Sequence, residues 1–193
     1  MHGATTAEWI TAVATIVVAL GALFALVAIA DNRRTTRQRL TYDYIARLES
    51  PEMGEHQALM YSLVRGCLRP PSLPKWRWAR MDAQARADTA PAMWRHLTSS
   101  RDHADTAMVF RVLVYPNMLE GLAAMYNHGL LDKSIVKVSV EAEAQDFWED
   151  ASWWIAELRP NPQTNNSFRD LEVMLTDLAK QKPPSWYHAD PAA

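Results

Sequence analysis

His96 and His103 stand seven residues apart, a spacing that sets two imidazoles on one side of a helix, two turns from each other. Two imidazoles are the beginning of a zinc site. The chemistry goes no further, because Arg95 and Arg101 are poor neighbours for a cation and neither an HExxH pattern nor a cysteine pair accompanies them. Glu141, Glu143, Asp146, Glu149 and Asp150 offer carboxylate oxygens for a divalent ion, yet the same strip is what a solvated helix surface looks like, and that is the reading adopted. Cys67 is the single thiol; with no base partner in view it reads as a small core residue on an apolar helix face. There is no Gly-rich phosphate loop and no Gly-x-Ser-x-Gly nucleophile elbow. No catalytic residue, metal or cofactor is therefore assigned.

Four arginines, Arg33, Arg34, Arg37 and Arg39, form the densest basic cluster, directly after an uncharged run. Residues 9–30 carry no formal charge, and at a helical rise of about 1.5 Å per residue they cover roughly 33 Å, the thickness of a hydrocarbon core. Large apolar residues lie all round this helix instead of along one stripe, with Trp9 at its rim. A cleaved signal peptide fits less well: Ala28-Ile29-Ala30 resembles a cleavage site, but no Lys or Arg precedes the run and the run exceeds the usual h-region. The sequence thus predicts a single transmembrane helix over 9–30. The positive-inside rule places the short segment 1–8 outside and residues 31–182 in the cytoplasm, at the inner membrane. The collar could also touch anionic lipid head groups. Gly21, Ala25 and Ala28 follow small-xxx-small spacing, a surface for homodimerisation.

The chain has 20 Lys and Arg against 22 Asp and Glu. That near-balance, with the basic excess confined to the collar, argues against a nucleic-acid partner. A lone cysteine agrees with a reducing compartment.

The elements that must position these groups read as helices throughout. The membrane helix continues through Leu40, Tyr44, Ile45 and Leu48 until Pro51. A second helix carries Leu59, Met60, Leu63, Val64 and Cys67 and closes at Pro70-Pro71, forming a hairpin with the first. Residues 69–80 form a Pro/Trp-rich linker with Trp76 and Trp78, whose basic and aromatic alternation is read as cation–π packing within the fold, with a membrane-surface patch, and after it a nucleic-acid stacking strip, as the alternatives. Helices follow over Ala83 to Leu97 and Asp102 to His128, the latter kinked at Pro116 and stopped by Gly129, with Asp132 or Ser134 as the next N-cap. One continuous helix then carries Val136, Val140, Ala144, Phe147, Trp148, Ala151, Ile155 and Leu158, and Ser167 with Asp170 opens a last one. Residues 183–193 read as a loose tail. The fold class is all-α: a transmembrane helix followed by a cytoplasmic bundle of about five to six helices, with Trp148 in its core.

This arrangement resembles a bacterial and phage family catalogued only as a domain of unknown function. The resemblance covers about Val112 to Leu178 and rests on Asn117, Glu120, Gly129, Leu130, Asp132, Trp153, Trp154, Leu158, Arg159 and Pro160. It implies an anchored helical architecture without an assigned reaction. Its polar positions, Asn117, Glu120 and Arg159, would clamp a helix hairpin across Gly129. The leading functional reading is a membrane-anchored interaction module that binds an unidentified protein partner or itself. One alternative is a hydrolase or nuclease of a defence system, and another, from the phage side of the resemblance, is a prophage-encoded immunity or exclusion factor.

Overall fold

Eight helices carry the described part of the chain: α1 (Thr6–Leu48), α2 (Pro51–Val64), α3 (Ala83–Ser99), α4 (His103–Asn127), α5 (Lys133–Ser139), α6 (Glu141–Asp150), α7 (Ser152–Leu158) and α8 (Arg169–Leu178). The computed structural model describes residues 6–69, 80, 83–161 and 164–181; the side chains of 6–14, 16, 17, 83–87 and 89 lie outside that description. No strand occurs among the described residues, so the fold is all-α. Most of the expected linker at 69–80, with Trp76 and Trp78, and the tail at 183–193 fall outside the described residues.

Local chemistry sets the boundaries. Pro51 opens α2, where its missing N–H costs nothing, and Ser50 caps it by accepting from the Met53 amide at 3.2 Å. Gly66, at φ 67°, ends α2: its amide reaches Leu63 O and the Cys67 amide reaches Ser62 O, a Schellman closure. The stop therefore comes before Pro70-Pro71, and Cys67, beyond it, is exposed instead of lying on a core face. Gly129, at φ 68°, closes α4 in the same way, through Tyr126 O and Met125 O. Asp132 is the cap of α5, accepting from the Ser134 amide at 3.0 Å. Helix α4 runs on through Pro116.

The expected continuous helix from Val136 to Leu158 is three helices. It breaks at Val140 (φ −125°, ψ −23°) and Ala151 (φ −90°, ψ 2°), both buried. Periodicity fixes which face meets the core but does not require a straight axis. The two breaks let one apolar stripe, from Val136 through Ala144 and Phe147 to Trp154 and Ile155, bend around the core. Trp148 falls at the margin of that stripe and is only half-buried, under the Arg159 guanidinium at 5.6 Å, while Trp154 is fully enclosed.

At the centre lies α4, which packs against α1, α2, α3 and α8 and buries Val112, Tyr115, Leu119, Leu122, Ala123 and Tyr126 completely. A helix covered on several sides needs apolar residues on several faces. Five ring contacts of 5.3–6.2 Å run without a gap from Tyr61 through Tyr115, Phe147, Phe168 and Trp154 to Trp94. This aromatic chain ties α2, α4, α6, α7 and α3 together.

Helix α1 is unbroken, and its two halves differ. From Leu40 to Leu48 it packs on the domain, with Thr41, Ile45 and Leu48 buried. From Val18 to Ala30 every residue is exposed, Phe24 at 73% and Leu26 at 65%. Among the described residues no helix is long and apolar enough to cross a membrane. The expected span over 9–30 falls in part on side chains outside the description.

Candidate functional site

The polar residues of the resemblance converge on the start of α8. Phe168, at the N-cap position, takes the left-handed conformation (φ 60°) and drives its ring into the core, so it offers no capping side chain. That backbone shape is unfavourable for a bulky residue. The expected Ser167–Asp170 capping box does not form. Glu120 of α4 replaces it: its two carboxylate oxygens accept from the Asp170 amide at 3.2 Å and the Leu171 amide at 3.0 Å. Burial raises the Glu120 pKa, and the two amides and Arg159 work in the other direction. Two turns further along α4, the Asn127 side-chain amide donates to the Asp170 backbone oxygen at 2.9 Å and to its carboxylate at 2.8 Å.

Arg159 pairs with Glu172 at 2.7 Å, not with Glu120, and Asn117 is exposed on α4. The structure thus brings Glu120 and Arg159 to the same helix end but leaves Asn117 out. What they hold is the seating of α8, where a hairpin across Gly129 was expected. Asn127 was not anticipated; its position seven residues after Glu120 on one helix face was the available signal.

Other carboxylates serve similarly. Glu143 accepts from the Tyr115 hydroxyl at 2.8 Å and from Gln57 at 2.9 Å, so this member of the acidic strip faces inward, while Asp150 meets Arg65 at 2.6 Å. Asp177 accepts from Tyr126 at 2.6 Å and Lys133 at 2.8 Å, and Lys133 and Tyr126 hold its carboxyl below the ordinary value. Burial first, then the facing carboxylates, push both tyrosine hydroxyls well above their ordinary range, which suits hydrogen-bond donors and not nucleophiles.

Burial, with the Glu49 charge, likewise raises the Glu143 pKa above the usual 4.5, against the Tyr115 hydrogen bond. A carboxyl with a raised folded pKa binds its proton more tightly in the folded than in the unfolded chain. Its presence therefore costs stability as pH rises through the folded value. Glu143→Gln keeps an acceptor for Tyr115 and removes the charge. Its stability advantage over the wild type is expected to grow as pH rises above the ordinary glutamate value and to level off once pH exceeds the raised folded value, read from urea midpoints. A pH-independent difference would refute the assignment.

His96 and His103 lie on different helices, α3 and α4, separated by the break before Asp102, so they do not share a face. The His96 imidazole is 3.6 Å from the buried Asp105 carboxylate, and no group of three or more metal-ligating side chains occurs among the described residues.

Two open clefts flank Lys133. One, about 670 Å³, is lined by α8 and contains the Arg159–Glu172 and Lys133–Asp177 pairs, whose charges are mutually compensated. The other, about 620 Å³, lies between α1 and the Gly129–Ser134 turn. Leu26, Ile29 and Ala30 form its apolar part and Arg33, Arg34 and Arg37 its basic part; Arg39 of the expected collar is exposed and lies outside it. Its base is closed where the Thr41 hydroxyl accepts from the Asp132 amide at 2.8 Å and donates to Arg37 O at 2.7 Å, and Gln38 donates to the Asp132 carboxylate at 3.3 Å. Ser134 and Gln38 hold Asp132 below the usual carboxylate range, against burial, which acts to raise it. Gly21, Ala25 and Ala28 are exposed on α1, and a Cβ at Gly21 would meet open space.

These features define an all-α domain built on one long helix, with its carboxylates engaged in holding helices together. The family profile "Domain of unknown function (DUF4760)" matches residues 15–178, so the chain belongs to that family. No curated protein and no solved structure matches it.

Proposed function

We propose that the chain is a membrane-anchored helical interaction module, with the N-terminal part of α1 seated in the bilayer and the helical domain on the cytoplasmic side. The observation that carries this reading is the exposure of large apolar side chains on all sides of α1: Val18, Leu20, Leu23, Phe24, Leu26, Val27 and Ile29 are each 49–73% exposed. Covering one such side chain is worth about 1.5–3 kcal/mol. A partner protein would cover one face of the helix, whereas lipid covers every face. The uncharged run in the sequence, residues 9–30, has a length that matches a bilayer. The arginines that follow favour the cytoplasm for the domain. Interaction is the role supported for the domain by the exposed Phe110 and Val114, one turn apart on α4.

The native thiol supplies the test, because Cys67 is the single cysteine and is exposed. The full chain is expected to remain in the membrane pellet after alkaline carbonate. A membrane-impermeant maleimide is expected to label Cys67 in inverted vesicles and not in right-side-out ones. Release by carbonate would overturn the anchor, and the reverse labelling would overturn the orientation.

A further inference from the structure

The cleft between α1 and the Gly129–Ser134 turn presents a graded lining: apolar at Leu26, Ile29 and Ala30, then basic at Arg33, Arg34 and Arg37. We propose that it is a binding site for an anionic phospholipid, with the phosphate among the three arginines and the acyl chains along the apolar side chains. This deepens the anchor reading and rests on it.

Three observations support the site. The order along the helix axis is that of the lipid itself, since Leu26 to Arg37 spans about 16 Å of helix and passes from hydrocarbon contact to phosphate contact in one direction. None of the three arginines forms an ion pair with a protein carboxylate among the described residues. By contrast, Lys133 is engaged by Asp177, and Asp132, the acid of the lining, has its carboxylate taken up by Ser134 and Gln38. The opposing wall is also fixed in place. Thr41 and Gln38 bind it to α1, and Gly129, held at φ 68°, leaves open space where a side chain would stand. Guanidinium groups match phosphate oxygens through paired hydrogen bonds. The surplus of positive charge selects an acidic headgroup over a zwitterionic one.

Inorganic phosphate offers the same oxygens, so the test separates the two sources. The full-length protein in neutral detergent would be titrated with dioctanoyl phosphatidylglycerol, dioctanoyl phosphatidylcholine and inorganic phosphate, with the melting temperature as readout. A saturable rise with the first and none with the other two is expected. Arg34→Gln and Arg37→Gln should each weaken the apparent affinity about fivefold, the effect of about 1 kcal/mol per basic residue near an anionic surface, and Arg39→Gln, outside the cleft, should leave it unchanged. An equal rise with inorganic phosphate, no rise at all, or an equal loss with Arg39→Gln would each overturn the site. The assay does not require insertion, so the two readings fail separately. A carbonate-resistant chain without the lipid response removes the cleft alone, and a carbonate-released chain that keeps the response removes the anchor.

Discussion

Trp154→Ala is expected to destabilise the domain by about 3 to 5 kcal/mol, the cost of deleting a large, fully buried aromatic side chain. Trp154 has no exposed surface and joins Trp94 at 5.5 Å to Phe168 at 5.3 Å, so its loss opens a cavity in the middle of the aromatic chain. Trp154→Phe should cost far less, because the indole N–H is buried without an acceptor among the described residues and its removal relieves an unsatisfied donor. Trp148→Ala, at the margin of the same stripe, should cost clearly less than Trp154→Ala. Urea unfolding of the full-length protein in mild detergent measures all three. Equal costs for the two alanine variants would contradict the placement of the core.

Glu120→Ala is expected to cost about 2 to 3 kcal/mol, since two part-buried amides of α8 lose a charged acceptor and no local side chain replaces it. Phe168 is committed to the core in its left-handed turn, so the chain there cannot rearrange to supply a cap cheaply. Glu120→Gln should recover about half of the loss, because one carbonyl oxygen can serve one amide. Amide hydrogen exchange localises the effect: Asp170 and Leu171 should lose protection before the amides of α2. Unchanged exchange at α8 in Glu120→Ala would remove Glu120 as its cap.

Helix faces were legible in the sequence because the 3.6-residue period reports burial directly. Ile45, Leu63, Val136, Ala144, Phe147 and Ile155 were all readable as inward and are buried. Stops made by a local backbone requirement were legible at Gly129, yet Gly66 was passed over for the more conspicuous Pro70-Pro71. The bends at Val140 and Ala151 were not legible, since a bent helix and a straight one can share a period. That is also why Trp148 read as core when Trp154 holds that place. The part played by Glu120 depends on the packing of α4 against a helix start 50 residues later, which no local pattern encodes. The cleft at α1 was half legible: the arginines were conspicuous, but the turn that faces them is brought there by Thr41, a residue with no sequence signal of its own.

The unbroken course of α1, joined to the domain at Thr41 and Gln38, leaves no swivel between its exposed apolar half and the domain it carries. If the N-terminal part of α1 is seated in a bilayer as proposed, about 27 Å of stiff helix between Ala30 and Leu48 would hand the tilt and rotation of that segment directly to the domain. A partner confined to the same bilayer would then search over lateral position and one angle about the membrane normal. The other two rotations would already be fixed, lowering the orientational entropy that docking must give up.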